Sequence, residues 1–142
     1  MHYHMEIIMP PMEADQIEKS VADLMAPFDE NNEEIANRHF WDWYQIGGRF
    51  STFPSAIRTI EDLKEDLTAS AVMIARINPV TKTLEPGYLI HREYWNGVCF
   101  IETAWDGKVS QALEMAKDFL SNSQDNLGIS FDWLTVCVDY HS

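Results

Sequence analysis

The chain is expected to fold as an α+β domain: a single two-layer unit with a mostly antiparallel sheet of about five strands and two to three helices packed on one face. Three observations predict this. Apolar residues recur at helical spacing over residues 12–26 and again over 109–120. Runs of β-compatible residues lie near both ends, at 3–9 and 133–140. Two further runs, 88–92 and 98–104, flank Trp95-Asn96-Gly97 and read as a hairpin. With 142 residues, 46% of them apolar, and no repeat or dividing linker, residues 1–142 are expected to form one domain.

The elements follow in order. The first strand stops at Pro10-Pro11, since proline cannot donate to a ladder. Met12, Ile17, Val21, Leu24 and Met25 line one face of a first helix, with Glu13 and Asp15 at the positive end of its dipole and Pro27 as its stop. Asp29-Glu30-Asn31-Asn32 is a loop by composition. Residues 40–46 read as a strand, broken by a bulge or turn at Gly47-Gly48. Ile60, Leu63 and Leu67, spaced among charges, predict a second amphipathic helix beginning after Pro54. Residues 71–77 form a strand closed by Asn78-Pro79, and the hairpin follows. Asp106-Gly107 opens a third helix with Val109, Leu113, Ala116 and Leu120 on its buried face. Residues 121–128 are a polar connector. The last strand places Leu134, Val136, Val138 and Tyr140 on one face.

Charge narrows the partners. Ten Lys and Arg stand against 23 Asp and Glu, a formal net charge of −13. Such a surface repels nucleic acid and is drawn to basic partners. Glu13, Asp15, Glu18, Asp23, Asp29, Glu30, Glu33 and Glu34 face Lys19 alone, a net of −7 in one stretch. This is a solvated helix face running into an acidic loop, or a docking surface for something positive. Cys99 and Cys137 are far apart in apolar runs, which predicts buried free thiols and a reducing compartment. The opening Met1-His2-Tyr3-His4-Met5-Glu6 lacks the features of a signal peptide, and no apolar run nears the roughly 20 residues that cross a bilayer. A cytoplasmic protein without membrane partners is expected.

The least ordinary segment is Trp41-Asp42-Trp43-Tyr44-Gln45-Ile46-Gly47-Gly48-Arg49-Phe50. In a strand, Trp41 and Trp43 share one face while Asp42 and Tyr44 take the other. Gly47 and Gly48 permit close approach to the backbone, and Arg49 offers a planar fork for a phosphate or carboxylate. Trp41, Trp43, Tyr44, Gly47, Gly48 and Arg49 therefore make a candidate grip for a nucleotide-like or acidic small molecule. The same residues also serve a core: indoles fill it, the glycines make a bulge, and Arg49 pairs with Asp42 or another acid. No phosphate-loop context surrounds the glycines.

This segment resembles the core of a family of small tailed-bacteriophage proteins, which reads Trp-Asp-Trp-Tyr-x-Ile-Gly-Gly-Arg-Trp. A histidine near the start of the first strand corresponds to His2 or His4. Ala26-Pro27-Phe28-Asp29-Glu30-Asn31 resembles the family's Ala-Pro-Tyr-Asp-Glu-Asn, and residues 134–141 resemble its terminal strand. Phe50 stands where the family has its last Trp, a change in a candidate pocket wall. The likeness leaves roughly residues 53–108 unmatched. It implies a phage source and a shared fold, and it brings no activity with it.

Histidines supply a weaker signal. If the first and last strands pair, His4, His141 and Asp139 could converge on a divalent metal with an open position for water; ordinary surface or capping histidines are the plainer reading. No GxSxG, HExxH, CxxC or GxGxxG occurs, and Cys99 lacks a basic neighbour. No catalytic residue and no cofactor is expected. The foremost expectation is a non-enzymatic, phage-encoded, anti-CRISPR-like protein that inhibits a host protein by occupying its basic nucleic-acid-binding surface. A nucleotide-sequestering protein is the first alternative and a metal-dependent hydrolase the second.

Overall fold

The computed structural model describes residues 2–31, 40–50, 55–59, 71–78, 80–95, 98–103 and 132–142, with residues 87–95 and 98–103 described by their backbone. The architecture is mixed α+β. The elements are β1 (His2–Met9), α1 (Ala14–Met25) with a 3-10 turn at Ala26–Phe28, β2 (Trp43–Ile46), β3 (Ile57–Thr59), β4 (Ala71–Ile77), β5 (Leu84–Trp95), β6 (Val98–Thr103) and β7 (Leu134–His141).

The strands form one sheet in the order β2-β7-β1-β4-β5-β6, with β3 also paired to β7. The first and last strands are neighbours along their full length, from His2 opposite His141 to Met9 opposite Leu134. All pairings are antiparallel except β1 with β4, which run parallel because the chain between them crosses over. Among the described strands, the three-residue β3 is the one that the sequence pattern did not place. β3 occupies residues that the sequence pattern led into a second helix. The rest of that helix and the whole of the third, residues 106–120, lie outside the described residues.

Registers divide the sheet's side chains cleanly. Met5, Ile7 and Met9 of β1 share one face with Val136, Val138 and Tyr140 of β7 and with Ala71, Met73 and Ala75 of β4. Ile17, Val21, Leu24 and Met25 of α1 close over that face and, with Phe28 and Phe40, complete the core. Burying a side chain of this kind contributes roughly 1.5–3 kcal/mol. The expected inward set of β7 is thus in place. Pro27 ends α1 in a single 3-10 turn.

The opposite face is of another kind. There β1 presents His2, His4, Glu6 and Ile8, and β7 presents Thr135, Cys137, Asp139 and His141. β7 is buried on both faces from Thr135 to Tyr140, so this second face is covered too. Part of the cover comes from residues 48–50, which lie between β2 and β3 in the chain. Both strands pair with β7, β2 beside residues 138–141 and β3 beside residues 134–136. Between them Gly47 N donates to Cys137 O at 2.8 Å and Cys137 N donates to Ala56 O at 2.8 Å. Residues 48–50 leave the sheet there and fold across it.

Candidate functional site

Two lone acids inside apolar strand runs, Glu6 in Met5-Glu6-Ile7-Ile8 and Asp139 in Val138-Asp139-Tyr140, organise this polar face. Both are sealed: Glu6 is 0% exposed and Asp139 1%. A buried carboxylate is tolerated only when its oxygens are satisfied, and each of these is. Asp139 Oδ1 lies 2.8 Å from His2 Nδ1, and its Oδ2 accepts from Arg49 N at 3.0 Å. Glu6 Oε1 takes His4 Nε2 at 2.9 Å and the Arg58 guanidinium, while Oε2 accepts from Thr135 Oγ1 at 2.7 Å.

The glycine pair is what lets residues 48–50 settle here. Gly47 and Gly48 have φ of 78° and 53°, backbone that L side chains rarely adopt. Gly48 lies against Asp139, and the next residue caps the same carboxylate from its backbone N–H. Phe50 then stacks on His4, with ring centroids 5.0 Å apart and planes at 17°.

At the other end of the face, Asp42 carries the second imidazole. Its backbone N donates to His141 O at 2.9 Å, and its Oδ1 lies 2.8 Å from His141 Nδ1. His2 and His141 are cross-strand partners with ring centroids 5.4 Å apart. Trp43 sets its ring edgewise to His2, also at 5.4 Å. Trp43 and Phe50 each remain 44% exposed. Arg49 is exposed and makes no ion pair among the described residues. The arrangement offers two open aromatic rings, a cationic fork and two imidazoles oriented by carboxylates.

The two tryptophans do not share a face. The strand begins only at Trp43, so strict alternation does not reach back to Trp41, which sits in an isolated bridge with Asp29. Trp41 donates from Nε1 to Met25 O at 2.9 Å and packs edgewise on Tyr44 at 4.9 Å, on the α1 side with the core. Of the six candidate ligand residues, Trp43, Gly47, Gly48 and Arg49 therefore gather at the polar face; Trp41 and Tyr44 belong to the other. Tyr44 lines an open groove of about 500 Å³ with Glu18, Gln45 and Ile46. Partial burial raises its phenol pKa above the ordinary tyrosine value, and the negative charges of Asp23 and Glu18 add to the effect.

The expected metal trio is not assembled. His4 reaches Glu6, Asp139 holds His2, and His141 turns to Asp42. The group with metal-compatible spacing among the described residues is His4, Glu6 and Cys137, whose ligand atoms lie within 4.8 Å of one another. Arg58 already supplies Glu6 with positive charge, and a cation would have to displace or oppose it. Cys137 is buried, as expected; the side chain of Cys99 is outside the described set.

On the acidic stretch, Glu13, Asp15, Glu18 and Asp23 are exposed on or beside α1, and Lys19 pairs with Asp23 at 2.8 Å. Asp29 is half-buried and accepts from Asn31 N at 2.9 Å, whereas Glu30 is exposed. Glu33 and Glu34 lie outside the described residues. Sequence reasoning did not select Glu6, Arg58 or Thr135, named Phe50 only as a change in a candidate pocket wall, and grouped Asp139 with His4 and His141, whereas its carboxylate meets His2. The signal for the acids was available: a single carboxylate within an apolar β run requires a partner.

No helix among the described residues is long and apolar enough to cross a membrane. No protein-family model, curated protein or solved structure matches the chain.

Proposed function

We propose that the protein binds a small anionic, ring-bearing molecule of the nucleotide class on the sheet face opposite α1. One observation carries this reading. Arg49, its backbone pinned to buried Asp139, is an exposed residue beside Trp43 and Phe50, each 44% exposed. Aromatic rings take a base and a guanidinium takes a phosphate in two-pronged fashion. Burying two carboxylates to position histidines is a costly way to build a mere core, and such arrangements concentrate at functional sites. In this reading residues 1–142 form a single two-layer domain with its helices on the α1 side, acting in the cytoplasm of an infected bacterium. A nucleotide panel followed by thermal shift tests it, because a ligand that binds the folded state raises the melting temperature. Loss of the shift in Arg49→Ala places the site; no shift with any nucleotide contradicts it.

A second reading is favoured by a separate observation. Glu13, Asp15 and Glu18 are exposed and make no ion pair among the described residues. They supply the charge with which an acidic inhibitor would occupy the basic, nucleic-acid-binding surface of a host protein, binding neither nucleic acid nor membrane itself. Capture of such a protein that weakens steeply with salt, and disappears on reversal of these acids, is its test.

A further inference from the structure

Asp42, Trp43, Gly48 and Arg49 all bear on the mounting of His2 and His141. We infer that these two imidazoles form an acid–base pair that cleaves small ribonucleotide phosphodiesters. The inference rests on the ligand site proposed above and adds a reaction to it.

Each ring directs Nδ1 to a carboxylate: His2 to Asp139 at 2.8 Å and His141 to Asp42 at 2.8 Å. That fixes ring orientation and leaves Nε2 as the proton-exchanging atom. The mounting of His2 is rigid. Asp139 is buried, held by Arg49 N and covered by Gly48, and Trp43 packs edgewise on the imidazole. Neither ring is sealed: the His2 side chain is 22% exposed and that of His141 40%. As cross-strand partners with centroids 5.4 Å apart, they can serve different oxygens of one phosphoryl group. Arg49 is an exposed residue next to this pair, and a guanidinium suits the negative charge that builds on the non-bridging oxygens.

Two imidazoles move protons but supply no nucleophile, so the substrate must bring its own. A ribonucleotide does, in its 2′-hydroxyl. One Nε2 takes the proton from that hydroxyl as its oxygen attacks phosphorus. The bond from phosphorus to the 5′-oxygen breaks, and the protonated Nε2 of the other ring delivers a proton to the departing oxygen. The products are a 2′,3′-cyclic phosphate and a 5′-hydroxyl, with atoms and charge balanced and no co-reactant consumed. A net charge of −13 selects against long polyanions and leaves dinucleotide-sized substrates.

The test uses the whole chain with the ribodinucleotide UpA, its products separated by chromatography, and the deoxy dinucleotide TpA, which lacks the attacking hydroxyl, as a binding probe read by tryptophan fluorescence. Cleavage to uridine 2′,3′-cyclic phosphate and adenosine is expected. His2→Gln and His141→Gln should each lose on the order of 100-fold in rate while TpA binding is kept, which also shows that the variants retain the site. Cleavage that persists in either variant overturns the assignment. TpA binding without any cleavage of UpA overturns it as well and leaves the ligand reading standing. If neither dinucleotide binds, the ligand reading for this class fails, and the reaction with it.

Discussion

A Cβ placed on Gly48 would lie 2.4 Å from the Cβ of Asp139, so the backbone at residue 48 rests directly on the carboxylate that holds His2. Neither part of the polar face can move alone. The turn needs Asp139 as an acceptor for Arg49 N, and Asp139 needs the turn for its second oxygen.

Gly48→Ala should therefore be destabilising twice over, through its left-handed backbone and through the clash with Asp139. A loss of about 2–4 kcal/mol in urea unfolding is expected. An effect within ~0.5 kcal/mol, the range of ordinary surface changes, would mean that the contact does not exist.

Glu6 and Arg58 form the other half of the network. Arg58→Met leaves a fully buried carboxylate with less compensation and should cost about 3 kcal/mol. Adding Glu6→Gln to that variant should restore part of the loss, because the stranded charge is then gone. Equal stability of the single and double variants would remove the pair from the structural account.

Tyr44 gives an alkaline signature. Its phenol is held above the ordinary tyrosine pKa, first by burial and then by Asp23 and Glu18. A raised folded-state pKa adds stability below the unfolded value, and that stability is lost as pH rises from the unfolded value through the folded one. Denaturation midpoints followed across this alkaline range should fall less in Tyr44→Phe than in the wild type. Matching curves would show that the phenol titrates as it does in the unfolded chain.

Reversing Glu13, Asp15 and Glu18 to Lys should leave the fold intact, since all three are exposed. Calorimetric binding of a small nucleotide at the opposite face should change by less than a few-fold, whereas capture of a basic protein partner should vanish. Loss of nucleotide binding instead would join the two faces in one function.

Much of this architecture is legible in residue patterns. The apolar spacing of Ile17, Val21 and Leu24 gives α1 its buried stripe, and Val136, Val138 and Tyr140 alternate inward as a half-polar strand should. The pairing of β1 with β7, which the sequence raises only as a condition for its histidines to meet, is present, and Gly47-Gly48 does make the turn that breaks β2. What pattern alone could not carry was decided by register and strand ends. Trp41 and Trp43 separate because the strand starts between them, a boundary that alternation does not mark. Asp139 meets His2 rather than His4, though His4 lies directly across the ladder. His4 instead turns along its own strand to Glu6, whose second partner, Arg58, arrives from β3, a three-residue strand too short to leave a periodic signal. Phe50 stacks on His4 only because residues 48–50 fold back over the sheet.

Calorimetric titration of adenosine 5′-monophosphate into the wild type, Arg49→Ala, Trp43→Ala and Tyr44→Phe tests most directly where a ligand sits. Binding should weaken at least ~10-fold, or about 1.4 kcal/mol, in Arg49→Ala and Trp43→Ala, and should be unchanged in Tyr44→Phe, whose ring lies on the α1 side. No heat of binding in the wild type, or a loss confined to Tyr44→Phe, would contradict a ligand site on the histidine face.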